Sequence, residues 1–402
     1  MRMIRVFDGT SAALNSIQRR SECWVTTSPA FLPEAPAVAP LRNDNALKLG
    51  VFAMNCKGGT TLTKVESGRI VPTWPQQLAI ARAADAAGWE FLLPLARWRG
   101  IGGDTDPNSA QFEVFSWAAG ITAATERIQV LATAHVPLFE PLVAAKQAAT
   151  IDHIGHGRFG LNVVSGWNAP EMAMFGKANP PHDERYRIAE EWITLIERLW
   201  TENDQFDFDG EFFQAKNAYL APRPVQQPRP VIVQAGSSPT GMDFAARHAD
   251  FGFQVHPDLG KLRDMNTNLR KRAEQQGREI GVLTVGTVVC ADTEAEAKRY
   301  FEHCVDELGD FAAAQNLIDE LIGGDNRSWP REQFRAMARG MIAGWGGLQL
   351  VGTPEQIVDR LVEVKRSGAD GVALSWVDYE SGIAQFNEQV LPLLVEAGLR
   401  QS

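Results

Sequence analysis

Short apolar runs alternate with helix-like stretches about eight times along the chain, and this alternation restricts the fold more than any other feature of the sequence. The run at residues 89–96 is apolar at nearly every position, which is typical of strands buried on both faces of a parallel sheet. Pro141 opens the helix-like stretch 141–154, and proline suits the first position of a helix. Strands and helices that alternate in this way predict a parallel sheet with right-handed crossover connections.

The number of predicted strands favours a closed barrel over an open sheet. An open doubly wound sheet calls for a Gly-x-Gly-x-x-Gly turn after its first strand, and the loop that begins at Asn55 lacks it. We therefore predict an α/β fold, a (β/α)₈ TIM barrel, with a short hairpin-like excursion near 206–214. The eight strands are expected at residues 47–54, 89–96, 128–134, 159–165, 230–235, 251–255, 281–290 and 371–376.

The N-terminal segment differs in composition from the rest of the chain. Residues 1–45 are rich in arginine and serine, contain no lysine, and end in a proline-punctuated stretch. This composition favours an extended N-terminal arm that covers the surface or a neighbouring subunit. A transit peptide is the alternative, because such peptides are rich in Arg and Ser and poor in acidic residues. We expect an arm over residues 1–45 and a barrel over 46–402.

A second segment, residues 307–345, interrupts the βα alternation. Its glycines Gly323 and Gly324, and Gly344, Gly346 and Gly347 at or just beyond its end, would permit movement, so it is expected to form a mobile lid over the active site. An ordered surface insertion is the alternative.

Charge and cysteine content exclude several functional classes. The chain of 402 residues carries a formal net charge of −10 and has no long basic stretch, which argues against nucleic-acid and anionic-membrane partners. No apolar run approaches the roughly 20 residues of a membrane span. Cys23, Cys56, Cys290 and Cys304 form no C-x-x-C pair, so reduced thiols in a cytoplasmic protein are expected. Motifs of metal-dependent and serine hydrolases are absent, so no metal is expected.

Polar residues at one end of the predicted barrel suggest a site for an anion. Gly236, Ser237 and Ser238 follow a strand and precede a helix, where backbone N–H groups and hydroxyls suit a phosphate. A simple serine cap of the helix is the alternative. Arg185 and Tyr186, at the start of a long helix, would clamp a phosphate, or Arg185 would pair with neighbouring acidic residues on a solvated face.

Other candidates follow the third and fourth strands, where the active sites of such barrels lie. Asn162 lies inside an apolar strand, so its buried amide needs a hydrogen-bond partner. That partner is either the polar ring edge of a cofactor or a residue of a neighbouring strand. Glu171 follows a rigid polar loop and is a candidate site residue. A role in capping a helix or on the surface is the alternative. His135 is the only histidine at a clear strand end, where it would donate to a substrate oxygen or serve the structure.

Four motifs in order resemble the bacterial luciferase-like flavin monooxygenases over residues 47–397. They are Arg158-Phe-Gly-Leu-Asn-Val-Val-Ser-Gly-Trp167 with Glu171, His182-Asp-Glu-Arg-Tyr186, Ala235-Gly-Ser-Ser238, and Gly352-Thr-Pro-Glu-Gln-Ile357. The resemblance implies a (β/α)₈ barrel, reduced FMN, O₂, a small-molecule substrate, a separate flavin reductase, and a homodimer or homotetramer. The cofactor contacts that it implies are Ala96, Arg97, Asn162, Glu171, Arg185, Tyr186 and Ser238. Gly236 and Ser237 would join them at the FMN phosphate, and tryptophans 98, 167 and 376 would enclose the flavin.

The substrate side is less defined by the resemblance. Residues 91–103 resemble pyrimidine monooxygenase, whereas 143–152 resemble dimethyl sulfone and alkanesulfonate monooxygenases. Ala96-Arg97 replaces the Ile-Lys of the pyrimidine enzyme, and His135 replaces a small residue, so Arg97 and His135 are the candidate catalytic residues. A two-component monooxygenase acting on a small organosulfur compound or a nitrogen heterocycle is expected. A riboflavin-cleaving enzyme, a deazaflavin-dependent oxidoreductase and a non-catalytic flavin-binding protein are the alternatives.

Overall fold

The computed structural model describes residues 39–322 and 330–401. Most of the predicted arm, together with Gly323 and Gly324 of the predicted lid, lies outside the described residues. The strands are β1 (Lys48–Phe52), β2 (Phe91–Leu93), β3 (Gln129–His135), β4 (Phe159–Val164), β5 (Phe206–Asp209), β6 (Gln214–Ala218), β7 (Val231–Gln234), β8 (Phe251–Phe253), β9 (Gly281–Cys290), β10 (Leu348–Gly352) and β11 (Gly371–Ser375).

Eight of these strands form a closed parallel barrel. Their order is β1, β2, β3, β4, β7, β8, β9 and β11, and β11 pairs back onto β1 with Lys48 opposite Gly371. All eight predicted barrel strands are confirmed, as is the (β/α)₈ architecture. The predicted hairpin is also confirmed, because β5 and β6 pair antiparallel with Phe206 opposite Ala218.

The described residues also form α-helices, most of which cover the outside of the barrel. They are α1 (Trp74–Ala86), α2 (Val114–Ala123), α3 (Pro141–Ile154), α4 (Ala169–Met174), α5 (His182–Thr201), α6 (Pro239–His248), α7 (Leu259–Gln275), α8 (Glu294–Glu302), α9 (Phe311–Ile322), α10 (Arg331–Gly344), α11 (Pro354–Arg366), α12 (Tyr379–Gln385) and α13 (Leu391–Glu396). Near the C-terminus, α12 and α13 are joined by a π-helical turn at Phe386–Val390. Within the described residues, no helix is long and apolar enough to cross a membrane.

The insertion is built from α9 and α10 and is tied to the barrel by β10. Gly286 of β9 pairs with Leu374 of β11 on one edge and with Leu348 of β10 on the other. Strand β10 therefore extends the sheet beyond the end of β8. Apolar residues of α9 and α10 pack with Leu62 and Ile101 from the loops that follow β1 and β2. The insertion thus sits at the C-terminal end of the barrel.

Large side chains fill the lower part of the barrel, as in other small barrels. A Cβ atom on Gly50 of β1 would lie 2.3 Å from the ring of Phe91, so glycine at this position makes room for the neighbouring aromatic side chain. Towards the C-terminal end the inward-facing residues become polar, with Thr133, Asn162, Thr287 and Ser375 in place of aromatic side chains. This end of the barrel therefore presents buried polar groups to a ligand.

Candidate functional site

Arg97 follows β2 and is buried at the C-terminal end of the barrel between two carboxylates. Its Nε atom lies 2.8 Å from Oε1 of Glu171, and its Nη2 atom lies 3.4 Å from Oε2 of Glu320 on α9. The guanidinium lies 5.0 Å from the ring centre of Trp167, and the backbone N–H of Arg97 donates to Gln111. A cation with a planar donor fork is therefore held in one orientation.

Glu171 is fully buried at the start of the short helix α4. The side chain of Asn168 caps this helix by accepting from the Glu171 N–H at 2.9 Å, and the Trp98 N–H donates to Glu171 Oε1 at 3.0 Å. Burial raises the pKa of Glu171, while Arg97 acts in the opposite direction. Its second oxygen, Oε2, has no hydrogen-bond partner among the described residues. Oε2 of Glu171 is therefore available to accept a hydrogen bond from a ligand.

His135, the last residue of β3, faces the same space. Its Nδ1 atom lies 3.8 Å from Glu171 Oε2, which is too long for a hydrogen bond, and has no partner among the described residues. Burial, assisted by the Arg97 guanidinium, lowers the pKa of His135 to about 4. The imidazole is therefore neutral at pH 7 and can donate one hydrogen bond and accept another.

The low pKa of His135 gives a testable pH dependence of stability. A histidine in the unfolded chain is protonated below about pH 6.5, whereas His135 in the folded protein is protonated only below about pH 4, because its pKa is lowered. The stability of the wild type should therefore fall by about 2 kcal/mol more than that of the His135→Gln variant between pH 7 and pH 5. Urea unfolding at both pH values measures this difference. An equal loss in His135→Gln would disprove the assignment.

Asn162 lies on β4, and one of the two polar atoms of its side chain has a hydrogen-bond partner within the barrel. Its Nδ2 atom donates to Thr133 Oγ1 at 3.1 Å, and that hydroxyl donates to the Pro94 carbonyl at 2.6 Å. The neighbouring-strand contact is thus present. The Oδ1 atom of Asn162 has no partner among the described residues, so an acceptor remains for a ligand.

The start of α5 meets the start of α6 at the end of β7. Ser238 Oγ caps α6 by accepting from the Gly241 N–H at 3.1 Å, and His182 Nε2 lies 3.1 Å from the same hydroxyl. A Cβ atom on Gly236 would lie 2.5 Å from Tyr186 Oη, so glycine allows this turn to approach the tyrosine. The serine cap is present, and it forms part of a larger polar cluster.

Arg185 lies one turn into α5 and points towards the loop after β4. It donates to the Gly166 carbonyl, and its Nε atom has no partner among the described residues. Asp183, one of the acidic residues close to Arg185 in sequence, accepts from His182 at 2.8 Å. The exposed Ser237 completes the set of sequence-predicted residues at this end.

The predicted residues therefore come from four neighbouring strand ends, those of β2, β3, β4 and β7, which we call the β2–β7 arc. Ala96, Arg97, His135 and Asn162 lie at or just after the first three of these strands, and Glu171 is joined to Arg97. Gly236, Ser237 and Ser238 follow the fourth strand, and Arg185 and Tyr186 reach it from α5.

The sequence profile of the luciferase-like monooxygenase family matches residues 47–371. The chain belongs to this family. The pyrimidine monooxygenase of Acinetobacter baylyi is 32% identical over 359 residues, which cover 87% of this chain and 95% of the relative. The chain is therefore an enzyme of the monooxygenase class.

Solved structures show the same barrel. A riboflavin lyase, solved with modified FMN and its substrate riboflavin, superposes with a TM-score of 0.79 at 24% identity over 89% of this chain and 93% of the lyase. A long-chain alkane monooxygenase gives a TM-score of 0.77 at 21% identity, covering 88% of this chain and 92% of the other. At these identities the likeness establishes the fold alone.

Two residues of this luciferase-like monooxygenase were missed by the sequence reasoning, and one was misplaced. Glu320 reaches the site from the insertion, where no strand end marks it, and accepts from Asn168 Nδ2 at 2.8 Å. His182 belongs to a quoted motif, but its approach to Ser238 depends on how the two helices meet. The expectation for Trp376 is wrong, because it packs between barrel and helices against Trp89, Tyr379 and Phe386.

Proposed function

We propose that this enzyme binds reduced FMN along the β2–β7 arc and uses O₂ to oxygenate a small nitrogen heterocycle or organosulfur compound. The observation that carries the proposal is the order of groups along the arc. A cluster of groups that would suit an anion lies at the β7 end, and a buried network of unpartnered donors and acceptors lies at the β2–β4 end. FMN has a phosphate at one end and a polar ring edge at the other.

The β7 end fits a phosphate. The N-terminus of α6, a helix of ten residues, directs N–H groups towards the turn that contains Gly236 and Ser238. Arg185 supplies a permanent cation with an unpartnered Nε donor, and His182 supplies a ring nitrogen beside the same hydroxyl. Ala235, at the end of β7, is exposed, so this part of the barrel mouth is accessible.

The β2–β4 end fits a ring that carries both donors and acceptors. Asn162 Oδ1 and Glu171 Oε2 would accept from ring N–H groups, and the neutral His135 would donate. The cation of Arg97 would stabilise negative charge on the ring edge. Reduced flavin supplies the activation of O₂ and the transfer of one oxygen atom to the substrate. The protein's part is to orient the reactants and to keep water out of the buried network.

We also propose the partners that this arrangement requires. A separate flavin reductase would supply the reduced FMN. A homodimer or homotetramer and a cytoplasmic location belong to the same proposal.

Binding measurements test the cofactor directly. We expect micromolar or tighter affinity for FMN or anaerobically reduced FMN, measured by fluorescence quenching or by ultrafiltration. A deazaflavin cofactor, measured in the same way, should bind more weakly. Tighter binding of the deazaflavin would favour hydride transfer without O₂, and no binding of either form of FMN would reject the proposal.

Cleavage of riboflavin is a second candidate, because the groups proposed to meet the ring of FMN would equally meet the ring of riboflavin. Incubation of the enzyme with riboflavin, reduced FMN and O₂, followed by mass spectrometry, distinguishes the two functions. Loss of the ribityl chain of riboflavin would favour the lyase reaction. Intact riboflavin, together with oxygenation of another compound, would favour the proposed monooxygenase. O₂ consumption no faster than that of free reduced flavin, across the whole compound panel, would indicate a non-catalytic flavin-binding protein.

A further inference from the structure

Trp345 has a backbone conformation that tryptophan rarely adopts. It ends α10 with φ 53° and ψ 34°, in the left-handed region, and its N–H donates to the Met341 carbonyl at 3.0 Å. Glycine normally occupies this position at a helix end. Gly344 and Gly346 stand on either side, yet the left-handed cap is a tryptophan. Such strain persists where the surroundings enforce it and is concentrated at functional sites.

The turn around Trp345 lies on the C-terminal end of the barrel. A Cβ atom on Gly344 would lie 1.9 Å from Thr287 Oγ1, and one on Gly347 would lie 2.7 Å from Val285 Cγ1. Both contacted residues face inward from β9. Trp345 itself packs against the apolar interior of the barrel and against the apolar cluster of α9 and α10. Its ring therefore forms part of the wall between the insertion and the barrel mouth.

The indole N–H of Trp345 is buried and has no hydrogen-bond partner among the described residues. Buried tryptophans normally satisfy this donor. Four others among the described residues do so: Trp89 donates to Asn387, Trp117 to Gln77, Trp192 to the Phe139 carbonyl and Trp200 to the Ala145 carbonyl, at distances of 2.8 to 3.2 Å. The contrast indicates that the Trp345 donor is kept for a ligand.

The position of Trp345 on the barrel separates it from the proposed cofactor site. The candidate FMN contacts occupy the β2–β7 arc, whereas the turn that contains Trp345 packs against β9, across the mouth. On the same side, Thr60 donates to Ser375 Oγ at 2.8 Å, and Thr287 Oγ1 lies 3.1 Å from that hydroxyl. These residues come from β9, β11 and the loop after β1, which we call the β9–β1 arc. A molecule that meets this arc would face the cofactor.

We infer that Trp345 forms the substrate side of the barrel mouth and that its indole N–H donates a hydrogen bond to an oxygen atom of the substrate. The inference rests on the proposed function, which places FMN on the opposite arc. A carbonyl oxygen of a nitrogen heterocycle and a sulfonyl oxygen of an organosulfur compound are the two sources of such an acceptor. Trp345 is thus assigned to substrate selection, a role separate from cofactor binding.

Nuclear magnetic resonance of the FMN-loaded protein, labelled with ¹⁵N in its tryptophan indoles, tests the inference. The Trp345 signal is assigned by its absence from the Trp345→Phe variant, which keeps an aromatic ring and removes the donor. Uracil, dimethyl sulfone and methanesulfonate are then titrated separately. We expect one of them to shift the Trp345 indole signal and to bind about 5-fold more weakly to Trp345→Phe. The compound that does so distinguishes a carbonyl from a sulfonyl acceptor.

Trp74→Phe is the matched control, because Trp74 is 36% exposed at the start of α1 and contacts Phe112. It should bind FMN and the probe as the wild type does, and Trp345→Phe should retain wild-type FMN affinity. The inference is wrong if no probe shifts the Trp345 signal, if Trp345→Phe binds the shifting probe as tightly as the wild type, or if it loses FMN affinity. Failure of FMN itself to bind the wild type would instead reject the proposed function.

Discussion

The Arg97→Met variant should lose about 3–5 kcal/mol of unfolding free energy at pH 7 and bind FMN poorly. The Arg97 side chain is 1% exposed and Glu171 is 0% exposed, so the variant leaves a carboxylate buried without its cation. Glu320, whose side chain is 16% exposed, can reach water and adds less to the loss. Urea unfolding and FMN titration measure the two effects.

The double variant Arg97→Met/Glu171→Gln separates charge burial from packing. Removing both charges should restore much of the stability lost in the single variant, because no uncompensated carboxylate remains. FMN affinity should stay low, because both proposed ring-edge contacts are altered. A single variant within 1 kcal/mol of the wild type, or a double variant no more stable than the single, would show that the pair does not act as this structure indicates.

The Arg185→Met variant should bind FMN about 10- to 150-fold more weakly, which is the loss expected for charge-assisted hydrogen bonds to a phosphate. Riboflavin has the same ring system without the phosphate, so its affinity should hardly change. Paired titrations of FMN and riboflavin measure this difference and separate a phosphate contact from a general defect.

Arg187→Met provides the control on the same helix. Arg187 is 59% exposed and pairs with Glu211 away from the β7 turn, so its loss should leave both affinities unchanged. Equal weakening of FMN and riboflavin by Arg185→Met would remove Arg185 from the phosphate site and assign it to holding the loop at Gly166.

The barrel could be predicted from sequence because strands buried on both faces are apolar along their whole length. The ends of the strands were less certain: β2 was expected over 89–96 and spans Phe91–Leu93, ending just before Pro94, which has no N–H to donate. The insertion could not be interpreted, because α9 and α10 bury their apolar faces against loops that are distant in sequence.

The residues of the candidate site that lie at strand ends could be predicted from the sequence. Arg97, His135 and Asn162 converge because parallel strands end at one face of a barrel. Glu320 joins them from a helix more than 200 residues after Arg97, and no local pattern marks it. Trp376 was misplaced because successive strand residues face opposite sides: Ser375 points into the barrel, so Trp376 points out.

Incorporation of ¹⁸O tests the central claim most directly. The enzyme is incubated with reduced FMN, ¹⁸O₂ and a panel of nitrogen heterocycles and small organosulfur compounds, and the products are analysed by mass spectrometry. The account predicts that one compound gains a single ¹⁸O atom, and that this product is lost in Arg185→Met and retained in Arg187→Met. FMN binding without ¹⁸O in any product would contradict it.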